Sequence, residues 1–256
     1  MVVHALANEN INCSIEWLIQ GNGAVASRQR FIGLKVKNDP SSTLRVRAAY
    51  YKKIKTLNNK LILAIKNNKI ETVRGLILEG ANLHKLTNIE LYLFDRKEYT
   101  ALHYASRYGG KTLVQMFVDL GLNPNIRNRD FDTPLHLAAY EGNHDAIAKL
   151  LNLGASIECT NSEGTTPIMW AAQAGKTATI TYLVSLGAQV NYTDFMGRTA
   201  AHWAAFHGNS GSLEMLYKLG AYLDVENYEG KTPLDVAIIN GHIQALEAIL
   251  LVTGQG

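Results

Sequence analysis

From residue 100 onward the chain alternates two kinds of apolar stretch. The first is short: Leu135 with Ala138, Ile168 with Ala171 and Leu234 with Ala237 stand at helical spacing and point one way. The second is longer: Ile147, Leu150 and Leu151, or Ile180, Leu183 and Val184, mark one face of a helix that ends at Leu153-Gly154-Ala155 and its equivalents. A polar connection follows, with turn-forming residues midway: Asn161-Ser162-Glu163-Gly164, Asp194-Phe195-Met196-Gly197 and Asn227-Tyr228-Glu229-Gly230. The predicted unit is turn, helix, tight loop, helix.

The pattern is periodic. Thr100, Thr133, Thr166, Thr199 and Thr232 recur at 33-residue intervals, as do Gly109, Gly142, Gly175, Gly208 and Gly241. A further series, Gly121, Gly154, Gly187 and Gly220, is preceded each time by leucine. Thr133-Pro134, Thr166-Pro167 and Thr232-Pro233 read as an N-cap followed by proline at the first helical position. There the hydroxyl satisfies an orphan amide and proline's missing donor costs nothing. The glycine after each short helix, such as Gly142, predicts a left-handed C-terminal turn. Small alanines on the short helices predict close approach of their neighbours.

These residues resemble a known family. Thr133-Pro134-Leu135-His136-Leu137-Ala138-Ala139, then Gly142-Asn143-His144, then Leu153-Gly154-Ala155, is similar to the ankyrin repeat almost position for position. Two other units carry Met169 or Asp235 in place of the histidine, and the units starting at Thr100 and Thr199 lack the proline. The resemblance implies an all-α solenoid of helix-turn-helix units with β-turn or hairpin connections. A degenerate unit precedes the five: Leu61, Ala64, Asn68 and Leu76 to Gly80-Ala81 align with Leu102, Ala105, Gly109 and Phe117 to Gly121-Leu122, with eight extra residues around Leu86–Phe94. The expected organisation is a basic segment over 1–58, partly a helical cap, and a repeat domain over 59–256, with the degenerate unit at 59–92 and five repeats from about 93 to 256.

Charge adds an asymmetry. Residues 1–60 hold ten Lys or Arg against Glu9, Glu16 and Asp39, whereas the whole chain is only +3. The stretch Leu44 to Lys60 is basic and helix-like, with Ser41 or Ser42 as its cap and Leu44, Val46, Tyr50, Ile54 and Leu57 set to pack on the first repeat. A weak contact of residues 28–60 with an anionic surface is the alternative role. Ile15, Trp17, Leu18 and Ile19 suggest a short ordered element. Ile243 and Leu251 replace polar residues of the earlier units, so the last helix either frays and packs on itself or packs on something outside the array. Apolar runs are too short for a membrane span, no secretory signal is expected, and Cys13 and Cys159 read as free thiols of a reducing compartment.

Several motifs fail on their chemistry. Gly21-Asn22-Gly23-Ala24-Val25-Ala26 fits a dinucleotide-binding turn but lacks the acidic residue and the βαβ unit that turn needs. The glycine-lysine-threonine triplets at Gly110, Gly175 and Gly230 lack the earlier glycine of a phosphate loop. His103, His136 and His202 share one slot in different repeats, too far apart to share a zinc ion, and are expected to tie turn to helix. No catalytic residue, metal or cofactor is expected.

The resemblance implies that turn tips and first helices line a concave surface. There Tyr108, Tyr140, Phe195, Met196, Phe206 and Tyr228 are large and apolar in slots expected to face solvent, and Arg129, Arg198 and His207 stand beside them. These nine are the candidate partner-binding residues, densest in the last repeats, with mutual packing along the groove as the plainer reading. Trp170 and Trp203 replace Leu137 and are expected to pack. The function implied is that of a cytoplasmic scaffold or adaptor binding another protein, without nucleic acid. The alternatives are an effector of an intracellular microbe acting in the host cytosol and, less favoured, a small enzyme with its site in residues 1–58.

Overall fold

Apolar residues at helical spacing give twelve helices in a computed structural model that describes residues 40–84, 86 and 98–254. α1 (Pro40–Lys66) and α2 (Ile70–Leu78) form the first, degenerate unit. Five helix pairs follow: α3 (Ala101–Tyr108) with α4 (Lys111–Asp119), α5 (Pro134–Glu141) with α6 (His144–Asn152), α7 (Pro167–Gln173) with α8 (Thr177–Ser185), α9 (Ala200–Phe206) with α10 (Ser210–Lys218), and α11 (Pro233–Ile239) with α12 (Ile243–Thr253). The first helices stack in one row, α1 on α3 and so on to α9 on α11, and α10 packs between α8 and α12 in the second.

The core runs along this stack. Leu102, Leu135, Ile168 and Ala201 fill equivalent buried slots, and Ala105, Ala138, Ala171, Ala204 and Ala237 are fully buried where the rows meet. A larger side chain there would hold neighbouring helices apart. Ser106, Ala139, Ala172 and Ala205, also fully buried, form the surface on which the next repeat sits. In the last repeat this slot holds Ile238, which is 55% exposed.

Each short helix starts at its threonine, but the hydroxyl accepts a helix amide only at Thr100 (from His103 N–H, 3.4 Å) and Thr232 (from Asp235 N–H, 3.2 Å), and the buried Thr166 hydroxyl has no partner. The N-cap threonine is extended and the residue three positions on reaches back: Thr133 N–H donates to His136 Nδ1 at 3.2 Å and Thr232 N–H to Asp235 Oδ2 at 2.9 Å. The left-handed turn is present at Gly142, Gly175, Gly208 and Gly241. Gly109 differs, with φ −89°. Its need for glycine is spatial, since a Cβ there would lie 2.9 Å from the Ala105 carbonyl oxygen. In the degenerate unit Asn68 takes the equivalent place with φ 50°, a conformation that asparagine tolerates better than most residues.

α1 runs unbroken through residue 58, so the division drawn there falls inside a helix, and the described residues belong to one compact unit. Because α1 begins at Pro40, Ser41 and Ser42 lie within it instead of capping it. Leu57, Leu61 and Ile65 are buried and Ile54 is half-buried. At the other end α12 is helical to Thr253, with Ile243 and Leu251 exposed. Connections between units are turns, and among the described residues the single β-bridge joins Leu86 to Tyr99. The expected element at Ile15–Ile19, the basic residues before 40, the Gly21–Ala26 motif, Cys13 and most of the insertion around Leu86–Phe94 lie outside the described residues.

Candidate functional site

The turn tips owe their shape to a fourth periodic series. Asn128, Asn161, Asp194 and Asn227 recur at 33-residue spacing, and the Oδ1 of each accepts two backbone amides of its own turn. This closes the turn without help from a neighbour. Adjacent tips are then joined: Ser162 N–H donates to Asp130 O (2.8 Å), Phe195 N–H to Glu163 O (3.0 Å) and Tyr228 N–H to Met196 O (3.0 Å). The row of tips is therefore a hydrogen-bonded edge along the groove.

The histidines fix the inner helices to this edge. Nε2 of His103, His136 and His202 lies 3.0, 2.9 and 3.0 Å from the carbonyls of Asp132, Thr165 and Lys231 in the following turn. A carbonyl can only accept, so Nε2 donates, while Nδ1 accepts the threonine amide. Both roles require the neutral ring. Burial accordingly lowers the His103 pKa to about 4 and depresses those of His136 and His202.

Along the early repeats the candidate tyrosines are covered by neighbouring side chains, with Arg107 between Tyr108 and Tyr140. Arg107 pairs with Glu141 at 3.0 Å, and its guanidinium lies 4.8 Å from the Tyr108 ring and 5.5 Å from the Tyr140 ring. Tyr140 meets Trp170 edge-on, and Trp170 Nε1 donates to Thr165 Oγ1. Tyr108 and Tyr140 are thus half-buried, and burial raises the Tyr108 phenol. Arg129 pairs with Glu98 at 2.6 Å, away from this stack.

Later repeats differ. Asp194, the one acid in the asparagine series, has a second oxygen to offer: its Oδ2 accepts from Arg198 Nε at 2.7 Å and Trp203 Nε1 at 3.1 Å. The carboxylate is buried, and the Arg198 guanidinium covers the Trp203 ring at 4.3 Å and reaches Glu163 at 3.2 Å. This unit forms one wall of a groove of about 290 Å³ whose apolar lining includes Met196, Phe206, Val236 and Ile239. Phe206 is 51% exposed and Ile239 64%. His207 is half-buried against Phe206, and burial with the nearby His242 lowers its pKa. Phe195 and Tyr228 stand on the rim, exposed, each over a glycine of the preceding tip.

So the groove brings together Met196, Arg198 and Phe206, with Phe195 and Tyr228 on its edge. Arg129 sits two repeats earlier. Exposed Phe131, with φ 63°, occupies the slot of Gly164 and Gly197 and was not among the sequence candidates. The link from Asp194 to Arg198 and Trp203 was also missed, although an acid in an asparagine series was its signal. Among the described residues no group of three or more His, Cys, Asp or Glu could hold a metal ion, and no helix is long and apolar enough to cross a membrane.

No curated protein shows a significant match to the chain. A family model described as ankyrin repeats in three copies matches over residues 1–128, 61–161, 135–227 and 196–255. With that coverage, and with its capped helix pairs and bonded turn tips, the chain belongs to the ankyrin-repeat family.

Proposed function

We propose that the protein is a scaffold or adaptor that binds a partner protein through its concave groove. Ankyrin repeats are generally protein–protein interaction modules. One observation carries the more specific reading: Met196, Phe206 and Ile239 leave large apolar surface open to water in a groove walled by Trp203. Exposed apolar surface of this kind marks a binding site, and aromatic side chains dominate binding energies. The bonded turn tips mean that little order has to be created on binding, which favours affinity. The reading assigns no catalytic role and places the protein in the cytoplasm.

Affinity capture with mass spectrometry tests it, using wild type beside Phe206→Ser/Ile239→Ser. A partner held by wild type and lost by a variant of equal melting temperature supports the groove. A partner retained by that variant moves the site elsewhere.

A further inference from the structure

The two ends of the stack are finished differently. Lys60 stands in the slot of Ala101, Pro134, Pro167, Ala200 and Pro233, all of them buried. Pro233 is buried with no unit after it, so this slot faces the preceding unit, and Lys60, in the first described unit, is exposed. Lys53 and Thr56, at helical spacing on the same stripe, are exposed too. This end has the polar outer face that a terminal unit needs.

The other end is apolar. Leu234 is half-buried where Leu102, Leu135 and Ile168 are sealed, and Leu246 is half-buried where Val114, Ile147, Ile180 and Leu213 are sealed. Ile238 is 55% exposed in a slot that the following unit covers elsewhere. Ile243, 67% exposed, holds the slot of His144, whose Nε2 lies 3.0 Å from Thr179 Oγ1 of the following unit. These four side chains therefore mark the face on which a following unit would sit. α11 and α12 carry only Asp235 and Glu247 as charges, and Asp235 is engaged by Thr232.

We propose that two copies of the chain pair across this face about a two-fold axis, α11 and α12 of one against α11 and α12 of the other. A further regular repeat does not fit. Inner units offer alanine or serine where Ile238 stands, and the larger side chain would hold an incoming helix off. The opposite end of another copy would set Lys53 and Lys60 on an apolar face that offers Glu247 alone. The same face of a second copy meets apolar surface with apolar surface, and two-fold symmetry closes the assembly at two. At these exposures the paired faces remove on the order of 1,000 Å² from water, the lower bound of a specific interface. The inference is independent of what the groove binds. Pairing joins two grooves in one assembly, so a partner with two matching sites gains avidity.

Sedimentation velocity of the full chain tests this. Wild type is expected to pass from one copy to two as its concentration rises through the micromolar range, the affinity that such an area supports. Ile238→Ser/Ile243→Ser borrows the residues that Ser106 and Ser210 place in the same slots. It is expected to raise the dissociation constant about tenfold or more, with an unchanged melt at sub-micromolar concentration. Ile243→Ser alone repeats the test should the double variant melt lower. Leu251→Lys is the control. Its slot holds the exposed Asp119, Asn152, Ser185 and Lys218 even where a unit follows, so it lies off the face and pairing should persist. Wild type still single at about 0.5 mM overturns the inference, because binding that weak is no specific pair. Wild-type affinity in the serine variants overturns it, and so does equal loss in Leu251→Lys. Growth past two copies overturns the closed two-fold arrangement.

Discussion

The Phe195 ring occupies the place where a side chain at Gly164 would stand. Phe195 N–H bonds to the carbonyl of Glu163, and a Cβ at Gly164 would come within 2.7 Å of Phe195 Cδ1 and 2.8 Å of its backbone nitrogen. Tyr228 repeats the relation over Gly197 one unit later. Each tip glycine thus serves two ends: it accepts a left-handed φ of 78° or 73°, and it clears the seat of the next tip's aromatic ring.

Gly164→Ala is expected to lower stability well beyond the strain of its φ. Left-handed backbone alone costs about 1–2 kcal/mol in a residue with a Cβ. Gly154→Ala is the control, because φ is 88° there and nothing lies within 4 Å of the new Cβ. Urea melts of both should show the Gly164 variant less stable by a further 1–3 kcal/mol or so, the usual range for overpacking. Equal losses would mean that the ring swings away freely.

Asp194→Asn tests the one acid in the asparagine series. The amide keeps an oxygen for the two turn amides, but its NH₂ cannot accept from Arg198 and Trp203. Losing the buried carboxylate is expected to cost about 2–3 kcal/mol, in the range for hydrogen bonds to charged groups. Trp203 emission should shift as Arg198 is released from above its ring. A variant as stable as wild type, with unchanged emission, would show the pairing to be dispensable.

Acid should weaken the stack before carboxylates titrate. The folded pKa of His103 is about 4, below its unfolded value near 6.5, so the unfolded chain binds protons first as pH falls. Stability from this residue is complete above pH 6.5 and is lost toward pH 4, and the lowered values of His136 and His202 act in the same direction. A buried histidine shifted this far contributes on the order of 3 kcal/mol. Urea midpoints measured between pH 7.5 and 4.5 should fall steadily. His103→Met, which borrows the residue that Met169 places in the same slot, should flatten part of that slope. A midpoint independent of pH would refute the neutral-ring assignment.

Cys159 is expected to resist alkylation in the folded protein. It is buried, paired with the Thr133 hydroxyl at 3.1 Å, and burial pushes its thiol up to about 11. Iodoacetamide at pH 8 followed by peptide mapping should leave Cys159 unmodified until urea unfolds the chain, because the thiolate is the reactive form. Rapid labelling without denaturant would show local opening of that turn.

Local chemistry made much of this protein legible from its residues. The threonine, proline and glycine series set where helices start and turn, since capping and left-handed backbone depend on residues only a few positions apart. The histidines' role followed from the same reasoning, because one slot repeated across units cannot share a metal. Much of what stayed hidden depends on neighbours about one repeat away, 31 positions from Gly164 to Phe195 and 33 from Arg107 to Tyr140. Phe195 and Tyr228 read as bare binding residues until the stack set each against a glycine of the preceding tip. Tyr108 and Tyr140 read as exposed until Arg107 was placed between them. Asp194 read as a turn former although its partners are near in sequence, because only the folded turn and helix bring Arg198 and Trp203, four and nine positions on, to its second oxygen. The sequence by itself determined the repeat, its period and its capped units, because those interactions are local. Only the tertiary structure decided which apolar side chains remain open to water, because burial is a property of the stack.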